Sequence, residues 1–341
     1  MNCNDILKSR NALFGISAVW IVLFHINGFV GIPIPPSFLH KLLSIFFSFG
    51  NTGVDVFLFL SSIGLLFSLK KNSIKDYYVH RLKRIMIPYL LIGLLFYLWY
   101  DFVFMKDGIV QFILNWSTLN CWISGQDHMW YISFIVVAYA LFPLLYYLDD
   151  KTNHLSTVVM IVGCVIFEML AYHYDLPIYA NCERALSRIP VFLVGLLLGD
   201  FAYKNKRVPK PFIFAITLIG IGTAWVTLHF SLPLFIRRYM LGVSALGIIC
   251  FLGYCFDKST VLKAISVPFA IVGKYSLEVY LVHISIILVI NYYSKWESFD
   301  VIFWWITIII GTIIVSFLLS KVNEVIWGNQ VKKTSNLCNR G

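Results

Sequence analysis

The sequence predicts an all-α protein, a polytopic bundle of about ten membrane-spanning helices with both termini in the cytoplasm. Three observations predict it. Hydrophobic residues make up 59% of the chain and charged residues only 13%, at a mean hydropathy of +0.80; a water-soluble domain carries about a quarter charged residues, so most of this chain sits in lipid. The apolar residues gather into ten windows near the roughly 20-residue length that crosses a bilayer as a helix, twice what a barrel strand needs. The basic residues divide unevenly between alternate loops, which sets orientation. The net charge of +10 is then mostly a topology signal and gives little weight to a nucleic-acid partner.

In order, the windows are Asn11–Val30, Gly53–Leu69, Ile85–Met105, Met129–Leu148, Leu155–Tyr172, Ile189–Tyr203, Pro211–Phe230, Tyr239–Phe256, Ser276–Tyr293 and Val301–Lys321. The first follows Lys8 and Arg10 as a secretory signal would, but it is long and IPIPPS follows it in place of a small-x-small cleavage site, so it reads as an uncleaved span. Spans two and three are joined by the basic stretch Lys70 to Arg84, spans four and five by Lys151, and spans six and seven by Lys204 to Lys210. Spans eight and nine are joined by Lys258 to Lys274, and span ten is followed by Lys321 to Arg340. The intervening loops hold only Lys41, Lys106, Arg184, Arg188, Arg237, Arg238 and Lys295, seven of the 27 basic residues, leaving 20 on the first side. The richer side is cytoplasmic. Span six is short, and Leu262–Gly273 reads either as a re-entrant piece or as an extension of span nine. No internal repeat or low-complexity tract divides the chain, so residues 1–341 read as one membrane domain.

Of seven cysteines, Cys121 and Cys182 fall in outer loops and would pair in an oxidising compartment; two unpaired thiols is the simpler reading of an odd count. No Cys/His spacing suggests a metal.

Topology sorts the polar residues into two layers. Span one runs outward, so His25, about 14 residues or roughly 21 Å from its inner end, falls towards the outer side. Span two runs inward and carries Asp55 near its outer start, at a similar depth. His128, Trp130 and Tyr131 open span four, and Arg188 opens span six, on that same side. At the opposite surface Arg81 and Arg84 precede span three, while Lys274, Glu278, Tyr280 and His283 fall at the inner end or inner half of span nine.

Such a split suits a group transfer across the bilayer. An imidazole can take a proton from a hydroxyl as it attacks an acyl carbonyl, and a carboxylate such as Asp55 can orient it. Paired guanidinium groups suit phosphates. A donor with phosphates at one end and an acyl group on a long arm, as in acyl-coenzyme A, matches both layers. Each piece also has a plainer reading: His25 as a structural hydrogen bond between helices, Arg81 and Arg84 as cytoplasmic topology signals, and Asp55 as a pin for the start of its span. His128 sits at a lipid–water boundary where a polar residue is ordinary. Trp116, Trp122 and Trp130 form either an aromatic belt or a surface for stacking sugars.

Six blocks in order carry a resemblance that covers nearly the whole chain. GISAVWIVLFH from Gly15 to His25, GVDVFLFLS from Gly53 and YVHRLKRIMIPY from Tyr78 come first. HMWYIS from His128, RIPVFLVGLLLG from Arg188 and YSLEVYLVH ending at His283 follow. Together they resemble integral-membrane acyltransferase family 3, bacterial enzymes that O-acylate envelope or extracellular glycans. The resemblance implies His25 as the essential histidine and Arg81 with Arg84 as the family's Arg-x-x-Arg, binding the donor. Two departures stand out. Many members carry Arg or Lys at the position of Phe14, leaving open whether Arg10, about one turn earlier, replaces it, and their Ser-Gly at the end of the second block is Ser61-Ser62 here. The resemblance is to the membrane core alone, without the hydrolase-like domain some relatives append, and the expectation is that this core completes transfer unaided.

The expectation is therefore a multi-pass O-acetyltransferase of the bacterial inner membrane, with no permanently bound cofactor. It would move an acetyl group from cytosolic acetyl-coenzyme A to a sugar hydroxyl of a polysaccharide or its lipid-linked precursor. His25 would act as base with Asp55 orienting it, Arg81 and Arg84 would bind the donor, and His128 and Arg188 would face the acceptor. The rival reading is a transporter or flippase for a lipid-linked saccharide, with His25 and Arg188 as substrate contacts. Inverted repeats would favour it, and the hydropathy has none.

Reporter fusions test the frame: those after Lys75 and Lys206 report cytoplasm, and those near Ser124 and Ser231 report the outside. An external signal at Lys75 inverts both layers and removes the donor assignment.

Overall fold

A computed structural model describes residues 7–125, 128–294 and 301–338, with side chains to residue 326. Lys295 and Arg340, counted among the loop charges, lie outside the described residues, as do the side chains of Lys332 and Lys333. Fifteen α-helices follow one another among the described residues: α1 (Arg10–Phe29), α2 (Phe38–Ser48), α3 (Thr52–Lys71), α4 (Ile74–Trp99), α5 (Ile109–Trp116), α6 (Asn120–Ser124), α7 (Trp130–Lys151), α8 (Leu155–His173), α9 (Pro177–Leu186), α10 (Ile189–Tyr203), α11 (Lys210–His229), α12 (Leu234–Lys258), α13 (Thr260–Lys274), α14 (Ser276–Ser294) and α15 (Val301–Cys338). Among the described residues ten continuous helical stretches are long and apolar enough to cross a membrane, and each of the ten predicted windows falls within one or largely coincides with it. The chain is a multi-pass helical membrane protein.

The span containing α3 is the centre of the bundle. Within Phe38–Lys71, 89% of the apolar window lies inside the protein, against 17% for α8 and for α11, which face outward. A helix apolar all round belongs in a core; α3 accordingly buries polar Thr52, Asp55, Ser61 and Ser62 along with its aliphatic residues.

Small residues let the neighbours approach, since helices in lipid associate through close packing rather than through a hydrophobic drive. The tightest notch joins α1 to α13. A Cβ on Gly15 would lie 1.8 Å from the carbonyl oxygen of Phe269, and one on Gly273 would lie 1.8 Å from that of Asn11. On α3, Gly53 meets the Ser17 carbonyl of α1, and Gly195 of α10 meets Ser62.

Three boundaries differ from the sequence reading. First, α4 starts at Ile74 rather than Ile85 because Ser73 caps it: Ser73 Oγ accepts from the Asp76 N–H at 3.1 Å and donates to Asp76 Oδ2 at 2.7 Å. Such a cap satisfies an otherwise orphan donor, so Arg81 and Arg84 sit on the helix, not before it. Second, Leu262–Gly273 belongs to an independent helix, α13, parted from α14 by Tyr275. Third, α14 begins beside the first turns of α1, where Gly273 meets Gly15, so a depth counted from the membrane surface misplaces His283 in the inner layer.

Buried carboxylates are held by donors, as a hydrocarbon setting demands. Asp101 accepts from Asn115 Nδ2 at 2.7 Å. Asp149 accepts from Thr157 and contacts His154 at 2.9 Å. Asp200 pairs with Lys204 at 2.7 Å, and Glu168 accepts from Tyr239. Asn120 donates to Asn115 at 2.6 Å and Ser124 to Asn120 at 2.6 Å, extending the Asp101 ladder through the loop between spans three and four. Cys121 and Cys182 are unlinked thiols; Cys182 Sγ lies 3.6 Å from the Trp122 carbonyl oxygen.

The Gly15 notch gives a stability test by thermal unfolding in detergent. Gly15→Ala forces two backbones apart and lowers stability by about 1–3 kcal/mol or more. Gly163→Ala, where the new methyl meets nothing within 4 Å, is neutral or gains up to about 1 kcal/mol of helix propensity. Equal stability of the two variants would dismiss the notch as a packing constraint.

Candidate active site

The candidate residues converge on cavities along the bundle. One, about 450 Å³ and called outer because the charge rule expects this side to face out, is lined by His25, His128, Trp130, Arg184, Arg188, Arg237, Arg238, Tyr280 and His283 together with apolar residues of α1, α3, α12 and α14. An inner one, about 580 Å³, is lined by Arg81, Arg84, His80, Lys274, Glu278 and Glu324. Between them lies a narrow space of about 100 Å³ lined by Arg10, Phe14, Ser61, Arg81, Arg84, Tyr131, Tyr139 and Tyr280. Arg81 and Arg84 border both the inner and the middle spaces, and Tyr280 borders both the middle and the outer. The rings of Tyr131 and Tyr280, both buried, stand 4.9 Å apart at that neck.

His25 projects from the outer half of α1 and is partly exposed to the cavity. Its Nδ1 lies 3.0 Å from the Ile21 carbonyl oxygen and 3.2 Å from His283 Nε2, while His283 Nδ1 lies 2.9 Å from the Val279 carbonyl oxygen. Carbonyl oxygens only accept, so the network assigns a proton to each Nδ1. His283 Nε2 then holds a lone pair and accepts from His25 Nδ1–H, which is shared between His283 and Ile21. His25 Nε2 is left with its lone pair and no protein hydrogen bond among the described residues. That is the form of a base.

The expected pairing of Asp55 with His25 is absent among the described residues, and this corrects the sequence reading. Asp55, 1% exposed, forms an ion pair with Arg188, 2% exposed, at 3.2 Å between Oδ1 and Nε. Arg188 Nη1 also donates to the Arg184 carbonyl at 3.1 Å, and its guanidinium lies 4.7 Å from the centre of the Trp130 ring. The two residues lie on neighbouring helices, but α3 turns Asp55 towards Arg188 at the start of α10. Arg238 forms a parallel pair with Glu183. His128 lines the outer cavity with its ring 4.6 Å from that of Tyr100.

On the inner side, Arg81 Nη2 donates to the Gly64 carbonyl at 3.0 Å. Gly64 also makes room for Arg10: a Cβ there would lie 2.4 Å from Arg10 Nη2. Arg10 stands 5.0 Å over the Phe14 ring, and among the described residues its buried Nε has no hydrogen-bond partner. A guanidinium from one helical turn earlier thus occupies the level of Phe14. Arg81, Arg84 and Arg10 together make a basic inner site suited to phosphates.

Sequence reasoning missed His283 as the partner of His25, and it left unassigned Arg184, Arg237 and Arg238. The signal for His283 was present in the block YSLEVYLVH; the four outer arginines were visible as exceptions to the charge rule. Among the described residues no three His, Cys, Asp or Glu side chains are grouped to hold a metal ion.

The Asp55–Arg188 pair makes a prediction for thermal unfolding. Asp55→Asn or Arg188→Gln alone strands a buried charge and costs about 3–5 kcal/mol, whereas the double variant recovers much of that loss. Additive losses in the double variant would mean that the two residues act independently.

Comparison with known proteins gives a consistent match. The family described as "Acyltransferase domain" matches residues 11–321. O-acetyltransferase OatA of Staphylococcus aureus strain NCTC 8325 / PS 47 is 23% identical over 333 residues, covering 84% of this chain and 51% of that protein. The same figures hold for OatA of strains COL and MRSA252. The chain spans about half the length of these curated relatives. No solved structure matches.

Proposed function

Because the chain belongs to the acyltransferase domain family, matched over residues 11–321, we propose that it is a membrane O-acetyltransferase carrying acetyl groups from cytosolic acetyl-coenzyme A to a sugar hydroxyl outside. The membrane is the bacterial cytoplasmic membrane, with both termini inside. The acceptor is an envelope or extracellular polysaccharide, or its lipid-linked precursor. The single observation that carries this reading is a series of three spaces joining a basic inner cavity to a histidine-lined outer one, with Arg81 and Arg84 bordering the inner and middle spaces and Tyr280 the middle and outer. The OatA relatives support the acetyl group and oxygen acceptor.

In this reading Arg81, Arg84 and Arg10 hold the phosphates of coenzyme A at the inner face. The pantetheine arm runs past Tyr131 and Tyr280 to present its thioester beside His25. From Arg10 to His25 is 15 residues of one helix, about 22 Å, a distance an extended pantetheine arm matches. The acceptor hydroxyl enters the outer cavity and gives its proton to His25 Nε2 as its oxygen attacks the thioester carbonyl. A tetrahedral oxyanion forms and collapses, the carbon–sulfur bond breaks, and the coenzyme A thiolate takes the proton back from His25. One ester forms, one thioester is lost, and His25 is restored.

His283 stands where a carboxylate stands in a triad. It accepts the Nδ1–H of His25 and so keeps the reactive lone pair at Nε2, but as a neutral ring it orients the base without adding a negative charge.

His25→Gln tests the mechanism, since an amide keeps hydrogen bonding but cannot carry a proton at neutral pH. Transfer of labelled acetyl to glycan falls by about 10²–10⁴-fold, the usual loss for a general base, while coenzyme A affinity in detergent is unchanged. Normal acetylation by the Gln variant would make His25 a structural residue and end this mechanism.

A further inference from the structure

Attack on a thioester puts negative charge on its carbonyl oxygen, and a general base does nothing for that charge. The wall beside His25 holds a group that can. A short helical turn, Phe49–Asn51, joins α2 to α3, and on either side of Asn51 a glycine presses against α1. A Cβ on Gly50 would lie 2.3 Å from the Trp20 carbonyl oxygen and 2.7 Å from Phe24 Cβ, and one on Gly53 would lie 2.9 Å from Ile21 Cγ1. These residues of α1 lead directly into His25, and the Ile21 carbonyl is the one that meets His25 Nδ1. Asn51 is thereby fixed at the level of His25, and both line the outer cavity.

Local structure makes no use of the Asn51 amide. An asparagine at a helix start ordinarily caps it from an extended backbone. Here the chain runs helically into α3, with Asn51 at φ −60° and ψ −25°, and its side chain caps nothing. Its Oδ1 is buried without a hydrogen bond among the described residues, which leaves Nδ2 and its two protons for the cavity. The arginines Arg188 and Arg238 are already held by Asp55 and Glu183. A neutral amide has a further advantage beside a base, since a cation there would oppose protonation of His25.

Resting on the acyltransferase reading, we infer that Asn51 is a catalytic residue, the donor that stabilises the oxyanion. As the acceptor oxygen bonds to the carbonyl carbon, the π pair of the carbonyl moves onto its oxygen, and Asn51 Nδ2–H donates to it. When the carbon–sulfur bond breaks, its electron pair leaves on the thiolate and the oxygen's pair returns to re-form the carbonyl. Asn51 neither gains nor loses a proton; His25 carries the only one. The contact strengthens as charge develops, so it lowers the barrier rather than tightening the ground state.

Asn51→Ala and Asn51→Asp test this by two routes. In inverted membrane vesicles of the producing bacterium, the maximal rate of label transfer from acetyl-coenzyme A to endogenous glycan falls by about 10²–10³-fold in Asn51→Ala, as for loss of one oxyanion donor. The half-saturating acetyl-coenzyme A concentration and the pH dependence of the residual rate are unchanged, because the donor site and His25 are intact. Asn51→Asp loses at least as much, since a carboxylate only accepts and repels the oxyanion. The second route needs no transfer: purified protein in detergent is given trifluoroacetonyl-coenzyme A, whose hydrated ketone sets tetrahedral oxygens near the place of the thioester carbonyl. It binds about tenfold or more tighter than coenzyme A, the worth of one hydrogen bond to a polar oxygen, and Asn51→Ala removes the difference while coenzyme A itself binds as before. A near-normal rate in Asn51→Ala, or an analogue preference that survives it, overturns the inference. So does a fall in rate matched by a fall in coenzyme A affinity, which marks a structural residue. An Asn51-dependent preference in protein that transfers no acetyl would instead sink the transfer reading and leave the contact standing.

Discussion

The contact between Gly15 and Gly273 is the constraint on which the interior depends. Two helix backbones touch there with no side chain between them, and lipid offers no hydrophobic drive that would restore the fit once lost. The contact seats α13 against α1 and starts α14 beside the first turns of α1. About two turns further on, His283 reaches His25 and Tyr280 reaches the junction of the middle and outer cavities. A backbone contact thus sets side-chain chemistry about two turns away.

Depth was legible in the sequence, and direction was not. Apolar windows and loop charges put His25, Asp55, His128 and Arg188 at one level; His25, His128 and Arg188 line one cavity, and Asp55 sits behind Arg188. Hydropathy could not say which way Asp55 points, because α3 is buried on every side and carries no amphipathic stripe to orient it. Hence Asp55 meets Arg188 and not His25. His283 was misjudged for a different reason: its helix begins inside the bundle, so counting from a membrane surface started from the wrong place. The start of α4 was hidden because a Ser73 cap, not an apolar run, begins it.

Charge is handled differently at the two faces. Inside, arginines are what topology already favours, and Arg10, Arg81 and Arg84 become a site only because Gly64 lets two of them crowd one helix. Outside, each buried arginine has a carboxylate behind it. Breaking a buried pair leaves a stranded ion that costs more than the pair itself contributed, so this wall of the cavity is bound to the fold: Arg188 belongs to α3 through Asp55, and Arg238 belongs to α9 through Glu183.

Cavities entered from opposite faces raise a problem of permeability. Any continuous water column through the bundle would let protons and ions run down their gradients at a rate no transferase could tolerate. The middle space is less than a quarter of the volume of either neighbour, with room for only a few water molecules, and two tyrosine rings crowd its outer end. Hydration there is too thin to solvate a passing ion. On the proposed mechanism a pantetheine arm threaded through that neck would displace the remaining water, so the membrane would stay insulating both at rest and during turnover.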